Sequence, residues 1–377
     1  MPATRPLARL TLAALAAVLA GCAGSGEAPA SSSRGVDRGA ADTFTAQIDH
    51  AGFAAMGYRL RWTGAAAMSS RARVRHAVVS GDAVLVQDTG SVVTLIQTDD
   101  GRARWSTAVG APITRFTGLA RSEDSVLVSS DVELFILSDE TGDLVDRHGL
   151  DLVVNTRPVV AGGAALFGSA TGRVLAHDLR TGLGRWQYQL SGAIDAAPTR
   201  VGENVGFVSQ GGDVIILDPS TGTASARASI FGAPGGAPAS TDELIAFTSL
   251  DQSAYAFDAR GGARLWRYRT ETPLATPLTI IDGVAYFAVP GREMVGLDAS
   301  SGRETWSTDA ATGVAVGLSG ENVIVREGET LLAIDPRGAV VAEVVVPDLH
   351  EVIMPDPAGG DLYLVTRRGA VSRFVSR

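Results

Sequence analysis

Histidine, cysteine and aspartate are the residues that could do chemistry in this sequence, and their spacing decides whether they do. The five histidines are scattered along the chain, at His50, His76, His148, His177 and His350. No His-x3-His or paired-cysteine spacing of a transition-metal site occurs, and no G-x-S-x-G elbow positions a serine nucleophile. All 32 basic residues are arginine, which excludes phosphate loops and Schiff bases that need lysine. The sequence predicts a protein that is not an enzyme and holds no metal.

Four aspartates recur forty residues apart, and each precedes a glycine by four positions. They are Asp178, Asp218, Asp258 and Asp298. A short carboxylate at such a place accepts hydrogen bonds from turn amides, and the glycine supplies the positive φ that a tight turn needs. A single active site would not need four copies of one acid. We therefore predict turns here, and not acid–base or metal chemistry.

The aspartates belong to a longer repeat that sets the architecture. Glycines recur at 101, 142, 182, 222, 262, 302 and 338, and short apolar runs of strand length lie upstream of most of them. Four of these glycines are followed four residues later by tryptophan, at Trp105, Trp186, Trp266 and Trp306. We expect hairpins around each glycine, and tryptophan rings that pack between adjacent repeat units.

Counting the repeats predicts the fold class. Residues 58–377 amount to eight units of forty residues, which is the size of a four-stranded propeller blade. The segment Arg59-Leu60-Arg61-Trp62 ends in the same tryptophan and can pair with the last strand of the chain. We predict an all-β, eight-bladed β-propeller that is closed by its N- and C-terminal strands, with seven blades as the alternative.

The N-terminus reads as a targeting signal. Arg5 and Arg9 precede an apolar stretch that ends in Leu19-Ala20-Gly21-Cys22, which resembles a bacterial lipobox. We predict a signal peptide over residues 1–21 and acylation of Cys22, with an ordinary signal peptide as the alternative. Residues 22–57, rich at first in Ala, Gly, Ser and Pro, are predicted as a flexible linker, and the propeller occupies residues 58–377.

Composition limits the class of partner. The chain of 377 residues is 45% apolar and carries a net charge of -9, so it can bury a large core and does not favour nucleic acid. The single cysteine excludes a disulfide framework. Protein, lipid and small molecules remain as partners.

One complete repeat carries a resemblance to a known family. The segment Thr276-Pro277-Leu278, through Asp282-Gly283 and Leu297-Asp298 to Trp306, resembles the repeat of the PQQ-like family, and the pattern covers about residues 58–377. One branch of that family contains quinone-binding dehydrogenases. Another contains the propeller lipoproteins of the outer-membrane β-barrel assembly machinery, which are not enzymes. The lipobox, the linker and the blade count are similar to the second branch, and the adjacent cysteine pair typical of the dehydrogenases is missing.

The resemblance implies a function and a location. It implies a lipid-anchored scaffold without a cofactor, a monomer within a complex, at the outer membrane and facing the periplasm. Its partners would be envelope proteins, including a barrel-assembly protein. The alternative is a propeller that binds a quinone or another small ligand in its central funnel.

Two groups of residues are candidates for partner binding. In the second branch, a loop with leucines followed by an arginine docks the partner, and Leu150 and Leu152 are similar to it, with Arg157 further on. The alternative is that Leu150 and Leu152 are simply strand residues. Arginines near the predicted closing blade could form a basic surface for an acidic partner or anionic lipid, or could only protect a strand edge. They are Arg59, Arg61, Arg71, Arg73, Arg75, Arg367, Arg368 and Arg373.

Overall fold

A computed structural model describes residues 38–111 and 113–377. Two helices, α1 (Arg38–Gln47) and α2 (His50–Ala55), precede the first strand, β1 (Tyr58–Ala65). Blades 1 and 2 contain β2 (Val74–Ser80), β3 (Ala83–Asp88), β4 (Val92–Gln97), β5 (Ala103–Ala108), β6 (Phe116–Ser122), β7 (Ser125–Ser130), β8 (Glu133–Ser138) and β9 (Leu144–Gly149). Blades 3 and 4 contain β10 (Val159–Ala161), β11 (Ala164–Gly168), β12 (Arg173–Asp178), β13 (Gly184–Gln189), β14 (Thr199–Val201), β15 (Asn204–Val208), β16 (Asp213–Leu217) and β17 (Ala224–Ser229). Blades 5 and 6 contain β18 (Ala239–Ser240), β19 (Leu244–Ser249), β20 (Ser253–Asp258), β21 (Arg264–Arg269), β22 (Thr279–Ile281), β23 (Val284–Val289), β24 (Glu293–Asp298) and β25 (Glu304–Thr308). Blades 7 and 8 contain β26 (Val314–Ser319), β27 (Asn322–Glu327), β28 (Thr330–Ile334), β29 (Val340–Val345), β30 (Leu349–Ile353), β31 (Leu362–Thr366) and β32 (Ala370–Ser376).

The strands form eight four-stranded antiparallel sheets, which confirms the eight-bladed propeller and excludes the alternative of seven blades. Within a blade, the strands pair in chain order from the innermost to the outermost strand. Blade 8 is the exception, because β30, β31 and β32 receive β1 from the other end of the chain as their outer strand. Residues from Tyr58 to Ala65 on β1 pair antiparallel with residues from Ser376 to Ala370 on β32, as predicted for ring closure.

The core lies in the seams between blades. Each hydrophobic cluster of the described residues joins one blade to the next, for example β3 and β4 of blade 1 to β7 and β8 of blade 2. Because a blade is covered on both faces, its middle strands are buried at nearly every position, and β3 is buried throughout. This explains why the sequence shows continuous apolar runs at these strands and not the alternation of a half-exposed sheet.

The predicted linker is shorter than expected, because its last part folds. Residues 38–57, assigned to the linker from composition, contain α1 and α2, and Phe44 and Phe53 are buried. The Phe53 ring stacks on Phe374 of β32 at 4.0 Å, and Met56 joins the same cluster between blades 7 and 8. The outer strand of blade 7 carries Ala342 at the position that holds tryptophan in other blades. The helices therefore fill a seam that lacks its aromatic residue. Residues 1–37, with the predicted signal and Cys22, lie outside the described residues.

The connections divide the molecule into two faces. Antiparallel strands place successive connections alternately at opposite ends of a blade. The blade-to-blade connections and the turns between second and third strands share one end, which we call the loop face. The remaining turns, including those of the four repeated aspartates, lie at the other end, which we call the hairpin face.

The pairing of β1 with β32 predicts that Thr63→Cys and Ser372→Cys together form a disulfide, because the hydroxyl oxygens of Thr63 and Ser372 are 2.9 Å apart. The crosslink joins residues distant in sequence and removes entropy from the unfolded chain, so we expect up to about 4 kcal/mol of stabilisation. Mass spectrometry of a chain with Cys22→Ser and thermal unfolding with and without reductant measure both effects.

The matched control is Thr63→Cys with Val371→Cys, since Val371 points to the opposite face of β32. Closure through β1 is contradicted if the first pair stays reduced or if the control oxidises equally well.

Candidate interaction face

The repeated aspartates bind the backbone of their own turns. The Asp178 carboxylate accepts the N–H groups of Arg180 and Thr181 at 3.0 and 2.8 Å, and Asp218 and Asp258 each accept two N–H groups in the same way. Asp298 accepts the Ser301 N–H and the hydroxyls of Ser300 and Ser301. The Arg185 guanidinium and the Thr181 N–H hold the pKa of Asp178 well below its ordinary value. These carboxylates are acceptors in tight turns.

Tryptophan rings join five turns of the hairpin face to the preceding blade, among them the turns of Asp218 and Asp298. Five indole N–H groups donate to a turn carbonyl of the following blade: Trp62 to Thr98, Trp105 to Asp139, Trp186 to Pro219, Trp266 to Ala299 and Trp306 to Asp335, at 2.7 to 3.2 Å. The turn glycine lies against the ring, and a Cβ on Gly302 would stand 2.4 Å from Trp266. Gly302 also has a φ of 70°, so both the contact with the ring and the backbone conformation require glycine at this position.

A histidine takes the place of tryptophan at the seam between blades 2 and 3. Asp146 occupies the tryptophan position of β9, and the His148 ring, two residues on, lies against Gly182 of the next blade. His148 Nε2 is 3.0 Å from the Asp146 carboxylate, and His148 Nδ1 is 3.1 Å from Nε2 of His177. Sequence reasoning missed this pair, whose only signal was the loss of tryptophan beside a histidine.

The contacts of the pair couple the tautomers of the two rings. The Asp146 carboxylate can only accept, so His148 donates through Nε2; when the His148 ring is neutral, its Nδ1 accepts the proton of His177 Nε2. The other nitrogen of His177, Nδ1, is buried without a partner. Burial lowers the pKa of His177 first and the nearby His148 lowers it further, against the opposing effect of Asp151 and Asp178.

The loop that resembles a docking loop, residues 150–158, lies on the loop face between blades 2 and 3. Leu150 and Leu152 are half-buried and pack on the hydrophobic cluster of this seam. Val153, which follows Leu152, is exposed, and the next residue, Val154, is buried. Arg157 is exposed, and its Cβ fits against Gly118, where an added Cβ would be 2.4 Å away. The two leucines hold the loop in place, and Val153 and Arg157 are the residues that a partner can reach.

The loops and turns of the loop face carry more exposed large apolar side chains than the turns of the hairpin face. In the described ranges, five large ones lie in its loops and turns: Ile113, Val132, Val153, Phe231 and Leu250. Phe231 and Ile113 are 103% and 94% exposed, so they bury nothing in the isolated chain. The hairpin face has Leu183, and the others of this kind lie on the outer strands. Exposed side chains of this size on the loops of a rigid scaffold are available for a contact with another protein.

The arginines of the predicted basic surface lie in several places. Arg59 and Arg61 are exposed near the start of β1, toward the hairpin face, and Arg75 donates to the Phe116 carbonyl from the innermost strand β2. Arg367 binds Glu329, and Arg373 binds Asp361. Only Arg71, Arg73 and Arg368 share one cavity, which lies on the loop face. Among the described residues, three of the eight arginines therefore lie together, and a basic surface formed by all eight stays a prediction.

A second cavity of about 330 Å³ lies where the inner strands of neighbouring blades begin. His76, Asn155, Asp195, Arg157 and Glu351 are among the residues that line it. Burial raises the pKa of Glu351, and the charges of Arg157 and Arg326 oppose the shift. In the part of the chain described, no histidine ring bonds a serine hydroxyl, and no three metal-ligating side chains cluster. The residues of this cavity could bind a polar molecule.

The buried pair predicts a pH dependence of stability. The unfolded chain protonates His177 at its ordinary pKa of 6.5, whereas the folded chain resists protonation, so stability falls as the pH drops below 6.5. His177→Leu, the residue at this place in blades 4 and 6, should lose less stability on acidification. Urea unfolding at about pH 7.5 and about pH 5 measures the difference.

Burial also lowers the pKa values of His76 and His350. The part of the acid-induced loss of stability that comes from these two histidines should therefore remain in His177→Leu. His50→Leu, at an exposed position on α2, is the control and should behave like the parent. Equal acid sensitivity in His177→Leu and the parent would show that the pair does not titrate with folding.

The solved structures that are similar to this chain share its fold. BamB from Moraxella catarrhalis matches with a TM-score of 0.69 and 14% identity, over 85% of this chain and 98% of that one. The computationally designed protein Ika8 matches with a TM-score of 0.69 and 13% identity, over 84% and 99% of the two chains. The C-terminal WD40 domain of Sif2 matches with a TM-score of 0.63 and 10% identity, over 81% and 97%. No curated protein matches the sequence.

The family match extends over most of the propeller. The profile described as "Outer membrane protein assembly factor BamB" matches residues 53–213, 116–240 and 210–348. The overlapping placements reflect the repeat, since one blade can align with the next. In the described residues, no helix has the length and hydropathy to cross a membrane. Because the family profile matches more than half of the sequence, the chain belongs to the family of the outer membrane protein assembly factor BamB.

Proposed function

We propose that this chain is a non-enzymatic, lipid-anchored scaffold at the outer membrane that holds an envelope protein of the β-barrel assembly machinery. The family membership supports the role in assembly. The observation that carries the choice of a protein partner is the set of exposed apolar side chains on the loop face. The scaffold would act through its geometry, because the rigid ring holds several loops at fixed separations and the partner's side chains pack between these loops.

The contact would be centred on blades 2 and 3. Leu150 and Leu152 are engaged in the seam and hold the loop, so Val153 and Arg157 would touch the partner, with Ile113 on the preceding blade-to-blade loop. Phe231, two blade junctions further round the ring, would be a separate contact. An apolar side chain packed at the centre of an interface contributes about 2 kcal/mol or more, whereas exposed charges contribute less.

The anchor would be the acylated Cys22, sixteen positions before the first residue of α1. Sixteen residues reach at most about 55 Å when fully extended, so the loops would remain close to the membrane surface. Two or more acyl chains would anchor the protein stably, since each buried methylene contributes about 0.8 kcal/mol. A cell envelope with an outer membrane is the compartment this proposal requires.

A small ligand in the cavity at the start of the inner strands is the second candidate function. Glu351, Arg157, Asn155 and Asp195 give that cavity acceptors and donors of both charges. A polar molecule fits such a lining. An absorption spectrum of the protein purified from its own cells tests for a quinone, which absorbs at wavelengths where tryptophan does not, and mass spectrometry of the same protein under native conditions tests for a bound molecule without a chromophore.

The proposal predicts that Ile113→Asp with Val153→Asp loses the partner. Both side chains are exposed, so the fold should survive, and burying two carboxylates in the contact should lower affinity at least thirtyfold, or by about 2 kcal/mol. Crosslinking in native cells, followed by pull-down of the tagged lipoprotein and mass spectrometry, measures recovery of the barrel-assembly protein.

Leu183→Asp is the control, compared with Ile113→Asp and Val153→Asp as single variants, because it places one carboxylate at an exposed leucine of the hairpin face. It should recover the partner like the parent. Recovery of unrelated envelope proteins by the parent, or no loss in the double variant, would contradict the assembly role or this surface.

A further inference from the structure

We propose that the cavity lined by Arg71, Arg73 and Arg368 binds the phosphate of an anionic phospholipid headgroup. The inference goes beyond the scaffold role and relies on it only for the anchor that keeps the chain at a membrane. We call this cavity the basic cavity. It lies on the loop face where blade 8 meets blade 1, away from the apolar loops of blades 2 to 5.

The basic cavity is large enough for a headgroup and open to solvent. Its volume is about 920 Å³, within the range of small-molecule sites. Its walls are α1, the connection from β1 to β2, the connection from β29 to β30, and the turn between β31 and β32. Ser69, Ser70 and Thr43 supply hydroxyl groups, and Phe44 and Met68 supply an apolar part. Hydroxyls and apolar surface beside a cation suit a phosphodiester that is linked to glycerol.

The charge of the cavity is positive on an acidic protein. Three guanidinium groups line it against one carboxylate, that of Asp348, on a chain of net charge -9. Arg368 lies 3.8 Å from Asp348, and Asp348 also lies 3.8 Å from Arg367. Among the described residues, Arg71 and Arg73 have no carboxylate within 4.0 Å, unlike Arg367 and Arg373. Two cations without counter-ions therefore face this space, and an anion would supply the missing charge.

The turn that carries two of the arginines is held rigidly. Asp88, which is 1% exposed, accepts the N–H groups of Ser69, Gly90 and Val92. The Ala72 N–H closes the turn on the Ser69 carbonyl at 3.0 Å. Arg71 has a φ of 62°, a conformation that costs free energy in a residue with a side chain. Asp88 thus holds the backbone at Ser69, and Thr89 holds the backbone of Arg73 through two hydrogen bonds, so the segment is ordered before any ligand arrives, which lowers the entropy lost on binding.

The position of the cavity favours a membrane lipid over a free anion. Thr43 and Phe44 line the basic cavity, and both belong to α1, the first described element of the chain. Attachment through Cys22 would raise the effective concentration of headgroups near the cavity to the millimolar range, so a weak site would be filled. A soluble anion has no such advantage. The rest of an acidic surface is repelled by an anionic bilayer, which would orient the loop face at blade 8 toward the membrane.

The test uses residues 22–377 with Cys22→Ser, which retain every described residue and cannot be acylated. Binding to phosphatidylcholine vesicles with and without phosphatidylglycerol is measured by co-sedimentation. We expect binding only when phosphatidylglycerol is present, and a loss of about fivefold for each of Arg71→Gln, Arg73→Gln and Arg368→Gln. The triple variant should lose about a hundredfold.

The matched control replaces Arg180, Arg260 and Arg303 by glutamine, the same loss of charge at exposed positions of the hairpin face. It should keep the binding of the parent, and thermal unfolding checks that both triple variants are folded. Equal losses in both would show a diffuse electrostatic attraction and overturn the site. Binding of glycerol phosphate without vesicle binding would assign the cavity to a free phosphate and overturn the lipid. The partner test above uses other residues, so either proposal can fail alone.

Discussion

Closure of the ring is the constraint on which the rest of the structure depends. A blade whose middle strands are apolar on both faces cannot stand at the end of a row, because its outer face would be exposed to water. Eight seams remove every such face, and the last of them exists because β1 completes blade 8 beside β32. The two ends of the chain are therefore committed to one sheet. Opening it would expose both the edge of β32 and the cluster that contains Phe374.

The seams also decide which face is free for function. Trp266 reaches the turn of the following blade, its N–H binds the Ala299 carbonyl, and Gly302 makes room for its ring. Turns on the hairpin face are thus occupied by contacts that hold the ring together. Loops on the opposite face also place apolar side chains such as Ile194 and Leu274 in the seams, and in addition they hold the exposed apolar residues and the basic cavity.

The structural features that repeat in every blade can be predicted from the sequence, whereas those that occur once cannot. The blade count, the closing strand and the turn aspartates such as Asp298 follow from a period of forty residues, because the same physical demand recurs in each blade. The helices α1 and α2 do not repeat, and they fill a gap that only the closed ring creates. His148 and His177 form a pair across a seam, which one strand's pattern cannot reveal. Leu150 and Leu152 were ambiguous for the same reason, since their burial depends on the neighbouring blade.

We propose that the partner binds the loop face, while the hairpin face makes contacts that hold the ring together. Site-specific photo-crosslinking in native cells tests this most directly, with the photoreactive residue at Val153 on one face and at Arg180 on the other, both exposed. We predict a crosslink to a barrel-assembly protein from position 153 and none from position 180. A crosslink to that protein from position 180 alone, or from neither position, would contradict the account.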